Sequence, residues 1–113
     1  MPTLTATYAV LDGQPVHLTV SVGDAQAGGS TAFLGKRQVA SGPDIDLDLG
    51  TGDAIRGQTL VVDTLAVDVQ PATDHVSARV ALSGGTPAQF PLAQGTTAPT
   101  HGAVSFLTVV RFV

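Results

Sequence analysis

Val16-His17-Leu18-Thr19-Val20-Ser21-Val22 exchanges an apolar residue for a polar one at every step. Successive side chains of a strand point to opposite faces, so this run sets four aliphatic residues on one face and His17, Thr19 and Ser21 on the other. Helical geometry would scatter the same residues around its surface. The period of two recurs along the chain. Leu4, Ala6, Tyr8 and Val10 alternate with Thr3, Thr5, Thr7 and Ala9; Ile45, Leu47 and Leu49 alternate with Asp44, Asp46 and Asp48; Val76, Ala78, Val80 and Leu82 alternate with His75, Ser77, Arg79 and Ala81. Each run reads as a half-buried strand with one wet face, and Asp12-Gly13 between the first two reads as a hairpin turn.

Two segments depart from simple alternation. Leu60-Val61-Val62-Asp63-Thr64-Leu65-Ala66-Val67-Asp68-Val69 is apolar on both sides at its start and then settles on Leu65, Val67 and Val69. A bulge near Asp63, or a central strand covered on both faces, accounts for that pattern. The closing run, residues 103–113, puts Val104, Phe106, Val110 and Phe112 on one side and Ser105, Leu107, Val109 and Arg111 on the other. Leu107 and Val109 therefore need cover, which makes Leu107, Val109 and Arg111 the candidate interface. Turn-rich pieces at residues 23–30, 41–43, 50–53, 84–87 and 94–102 separate the strands. Residues 31–40 and 88–93 are weaker strands, the second confined to a sheet edge by Pro87 and Pro91. The expectation is a single domain over 1–113, all-β: a compact β-sandwich, Ig-like or jelly-roll-like, of about eight mostly antiparallel strands with no substantial helix.

Composition agrees. All nine acidic residues are aspartate, glutamate and asparagine are absent, and Lys36 is the one lysine. Helix surfaces are normally built from Glu, Lys and Gln, whose straight side chains lose little freedom there; Asp, Thr, Gly, Pro and Val belong to turns and strands. There is no cysteine, so neither a disulfide framework nor a thiolate site exists. The formal net charge is −4 and only five residues are basic, too few and too scattered to follow a phosphate backbone, so nucleic acid is not an expected partner. Membrane insertion is not expected either. No run approaches the ~18 apolar residues a spanning helix needs, and Met1-Pro2-Thr3-Leu4-Thr5 lacks the basic and apolar regions of a signal peptide. The compartment stays open.

Charged residues make up 12% of the chain, which decides one point: about twice that share is usual for a soluble domain. Much of the surface must then be Thr, Ser, Gly, Ala and aliphatic. A surface of that kind is suited to contact with another copy of the chain or another protein.

Three patterns invite chemistry. Asp44, Asp46 and Asp48 match the first half of a calcium loop, yet Leu49 stands where that loop needs glycine and Ile55 where it needs its closing glutamate. In a strand, alternate carboxylates start roughly 6.6 Å apart, too far for three to share an ion. An edge strand with a charged, aggregation-resistant face explains the run better. A Ca2+ site on Asp44, Asp46 and Asp53 is the alternative; otherwise no cofactor is expected. Gly23-Asp24-Ala25-Gln26-Ala27-Gly28-Gly29-Ser30 resembles a phosphate loop, but Gly29 occupies the lysine position and no amphipathic helix follows. His17, His75 and His101 show no metal-ligand spacing, although His17 and His75 could meet if their strands adjoin. No Gly-x-Ser-x-Gly elbow is present. Enzymatic activity is the minority reading, and a structural, assembly or protein-binding module is the leading one, with a Ca2+-dependent binding or adhesion module as its alternative.

Overall fold

The computed structural model describes residues 1–23, 26–99 and 101–113. Among the described residues ten strands form two packed sheets: β1 (Thr3–Val10), β2 (Pro15–Val22), β3 (Ala27–Leu34), β4 (Arg37–Gly42), β5 (Ile45–Thr51), β6 (Thr59–Val67), β7 (His75–Ser83), β8 (Gly85–Thr86), β9 (Gln89–Thr97) and β10 (Ala103–Phe112). A single helical turn, α1 (Gly52–Ile55), joins β5 to β6. The six-stranded sheet runs β4-β3-β6-β10-β1-β8 and the four-stranded sheet β5-β2-β7-β9. This is the expected all-β sandwich, with β9 and the aspartate-bearing β5 at the two edges of the smaller sheet. Among the described residues no helix is long and apolar enough to cross a membrane.

The strand count exceeds the expected eight because the weak segment at residues 31–40 divides. Gly35 and Lys36 turn the chain between β3 and β4, and β8 is a two-residue strand against Ala9 and Val10. The Asp12-Gly13 turn is not a hairpin: β1 and β2 lie in different sheets. Polar anchoring carries the chain across. The Gly13 amide donates to Asp53 Oδ1 at 2.8 Å, the Gly52 amide donates to the Gln14 carbonyl at 2.9 Å, and Arg56 pairs with Asp12 at 2.6 Å. Only β3 and β4 are consecutive strands that pair; every other connection passes between sheets. The two ends of the chain meet instead, with β1 parallel to β10 in register from Thr3 opposite Leu107 to Tyr8 opposite Phe112.

β6 corrects the reading of residues 60–69. It pairs without a register shift to β3 on one side and β10 on the other, so no bulge interrupts it. Strict alternation then turns Leu60, Val62, Thr64 and Ala66 inward and leaves Leu65 exposed, as is Val69 beyond the end of the strand. The sequence pattern misleads because the inner face contains a threonine. That hydroxyl is satisfied by Ser30 Oγ at 2.7 Å, which removes the penalty of burying it.

The interior has two parts. The larger joins Tyr8, Val16, Leu18, Leu60, Leu82, Phe112 and their neighbours, whereas the smaller packs Ala66, Val76, Ala78 and Ala98 around Phe106. Tyr8 spans the gap beside β8 and β9. Its ring stacks on Phe90 with centroids 5.0 Å apart, its hydroxyl donates to the Pro87 carbonyl at 2.5 Å, and it accepts from the Gly85 amide at 2.9 Å. Beyond the smaller cluster, buried Gln26 accepts from the Val69 and Gln70 amides and donates to Asp68, Thr73 and His75 oxygens. One side chain thus satisfies backbone groups that β6 and β7 leave unpaired at this end.

Candidate functional site

The outer face of the six-stranded sheet is assembled from alternate residues of four neighbouring strands. Pairing places Phe33, Val61, Val109 and Thr5 in one row across β3, β6, β10 and β1. The next row holds Thr31, Asp63, Leu107 and Thr3, and the one beyond it Gly29, Leu65 and Ser105. On the other side of Val61 and Val109 lie Thr59, Arg111 and Thr7. The face is therefore aliphatic at its centre and threonine-rich on β1, with Asp63 and Arg111 the only charged residues of β1, β6 and β10. Neither is in an ion pair among the described residues. Leu107 and Val109 are half-buried by their neighbours and no other layer covers them, while Leu65 is 46% exposed.

Leu107, Val109 and Arg111 thus share one outward face. Phe33, Val61 and Leu65 join them there, and local pattern alone does not identify those three. Their strand parity is readable in the sequence, but which strands flank β10 is not.

The metal candidates are dispersed. Asp44 precedes β5 and Asp53 lies in α1 beyond its far end, and a seven-residue strand spans roughly 23 Å. Asp53 also accepts the Gly13 amide, and that bond, followed by one from its own amide, holds its carboxyl below the usual aspartate range. Asp46 and Asp48 bracket His17. Its Nδ1 lies 2.6 Å from Asp48 Oδ1, and its Nε2 contacts Asp46 Oδ1. Among the described residues no group of three or more His, Asp or Glu side chains is arranged to hold a metal ion. His17 and His75 are on adjoining strands but do not meet: His17 lies opposite Ser83, eight residues and roughly 27 Å along β7 from His75. His101 has its amide on Asp68 Oδ2 at 3.3 Å. In the glycine-rich piece, Asp24 and Ala25 lie outside the described residues; Gln26 is committed to the buried network and β3 begins at Ala27.

The His17 clamp has a defined pH dependence. Both ring nitrogens face carboxylates, and only the doubly protonated ring donates to both. The hydrogen bond to Asp48, then that to Asp46, with both negative charges adding, raises the His17 pKa above its ordinary 6.5. A raised folded-state pKa contributes stability that is complete below the unfolded value and disappears as pH rises through the folded one. Thermal melts should therefore show a larger drop in Tm from pH 6 to pH 9 for the wild type than for His17→Gln. The difference will be small, because an exposed ion pair is screened by solvent. Parallel pH profiles would refute the clamp.

Pocket-like relief exists on the other outer face. A hollow of about 270 Å³ lies beside His17, floored by Thr19, Ala81, Phe90 and Pro91. A second, of about 420 Å³, lies over His75, Ser77 and Arg79. Comparison of the chain with protein families, with curated proteins and with solved structures finds no match.

Proposed function

We propose that this protein is a non-enzymatic assembly module that pairs with a second copy of itself through the outer face of its six-stranded sheet. The observation that carries the reading is the Phe33, Val61, Leu65, Leu107 and Val109 surface, which holds one aspartate and one arginine and has no covering layer. Four strands about 4.8 Å apart, eight to ten residues long, present roughly 19 by 30 Å in projection. With side-chain relief added, that approaches the ~800 Å² each partner contributes to a standard interface.

Charge placement fits a two-fold partner. Asp63 lies one row from Val61 and Val109 on one side, and Arg111 lies one row from them on the other. A two-fold axis lying in the interface along the Val61–Val109 row turns Asp63 of each copy toward Arg111 of the other. The aliphatic centre then meets itself, as an isologous contact requires, and the two sheets stack at the ~10 Å spacing and small angle usual for packed sheets.

Sedimentation velocity at micromolar concentration should give a dimer for the wild type and a folded monomer for Val109→Asp. Asp63→Arg and Arg111→Asp should each weaken the dimer about tenfold or more, since like charges would then face one another, and the double exchange should restore it. A wild type that stays monomeric at tens of micromolar would end this reading.

A further inference from the structure

The second hollow lies on the opposite side of the sandwich, away from the proposed dimer face. β7 presents His75, Ser77 and Arg79 at alternate positions on the outer face of the four-stranded sheet. Their neighbours across the sheet are small. Arg79 is flanked by Ser21 and Ala93, and Ser77 by Gly95 on one side and Gly23 on the other. Both glycines are needed for this arrangement. A Cβ on Gly23 would come within 2.2 Å of Ser77 Oγ and 2.8 Å of Arg79 Nε, and one on Gly95 within 2.9 Å of the His75 ring. The backbone thus leaves room for polar side chains to lie down over the sheet where alanines would expel them.

Two donors converge there without acceptors. Ser77 is 7% exposed, and its Oγ is the only buried side-chain polar atom without a hydrogen-bond partner among the described residues. Arg79, whose Nε lies over the same glycine, forms no ion pair or side-chain hydrogen bond among those residues. On the same outer face, Asp46 and Asp48 are engaged by His17, which lies four residues along β2 from Ser21, the partner of Arg79. A buried hydroxyl lacking an acceptor, beside a guanidinium without a carboxylate partner among the described residues, offers donors that an anion can accept from. The planar fork of arginine donates to two oxygens of one group, and the hydroxyl can donate to a remaining lone pair of the same group.

We infer that the hollow over Ser77 and Arg79 binds a small oxyanion, the chemistry shared by phosphate and carboxylate groups. The net charge of −4 works against any anion at long range, so binding depends on these local donors.

Titration of 15N-labelled protein with inorganic phosphate, with acetate and with chloride, at matched ionic strength, tests the assignment. The expected result is saturable shifts of the Gly23, Ser77 and Gly95 amides and the Arg79 Nε–H with phosphate or acetate and none with chloride. Saturation by phosphate alone assigns phosphate groups, and saturation by acetate alone assigns carboxylates. Arg79→Gln should reduce affinity tenfold or more, and Ser77→Ala several-fold without loss of thermal stability, since it deletes an unsatisfied hydroxyl. Equal, non-saturating shifts with all three salts, or unchanged binding in Arg79→Gln, would overturn the inference.

Discussion

Replacing Phe106 by alanine should lower the unfolding free energy by about 3–5 kcal/mol, the range seen when a large buried aromatic is truncated. Phe106 is fully buried and, among the described residues, is the only aromatic side chain of its cluster; Ala66, Ala78 and Ala98 around it are already minimal. Strand pairing fixes the alanines of β6 and β7, so the backbone cannot close over the space and the cavity persists. The loss is large against the roughly 5–15 kcal/mol that stabilises a typical domain. Urea unfolding followed by far-UV circular dichroism measures it. A loss below about 1.5 kcal/mol would mean that the site collapses around the missing ring. Val104→Ala, which trims a half-buried neighbour, should have a smaller effect.

Gly84→Ala should destabilise by roughly 3–5 kcal/mol, from backbone strain and steric conflict acting together. Gly84 has φ +92°, and an added Cβ would lie 1.9 Å from the Pro15 carbonyl oxygen, a backbone atom that cannot rotate aside. The residue lies where the chain leaves β7 in one sheet to form β8 in the other, so any shift there disturbs both. Gly13→Ala isolates the conformational part. Gly13 has φ +74°, and an added Cβ would meet nothing within 4 Å, so strain alone, about 1–2 kcal/mol, is expected. Equal losses in the two variants would show that the close approach to Pro15 relaxes freely.

Particular residues show where sequence reasoning holds and where it stops. The Asp46 and Asp48 side chains point outward on an edge strand, as alternation with Ile45 and Leu49 requires. Their engagement with His17 is not visible in the sequence, because pairing β2 with β5 brings together residues 29 and 31 positions apart. The doubled register at Val16 and His17, where Leu49 is the extra residue, makes that geometry and leaves no local mark. Residues 60–69 mislead for a related reason. A threonine on the inner face looks like a break in the apolar pattern until Ser30, from another strand, supplies its hydrogen bond. By sequence Gln26 belongs to a turn-rich piece and Asp68 to the wet side of a strand run; in the fold they are buried partners.

The donors at Ser77 and Arg79 leave even less signal. An outward serine and arginine on an alternating strand read as a wet face, and the two glycines that admit them come from β9 and from the end of β2.

Strand vocabulary, the parity of nearly every strand and a second apolar face on residues 103–113 are all legible in the chain before it folds. These are local properties, set by a period of two and by the residues that can occupy turns. Folding adds that most consecutive strands pass between sheets, that the first strand lies parallel to the last, and that Val61 and Leu65 extend the Leu107 and Val109 surface. Strand pairing and sheet packing are stabilised by contacts distant in the chain, whose energies arise only when the sheets assemble. Alternation assigns each residue to a face; it carries no information on which other residues share it.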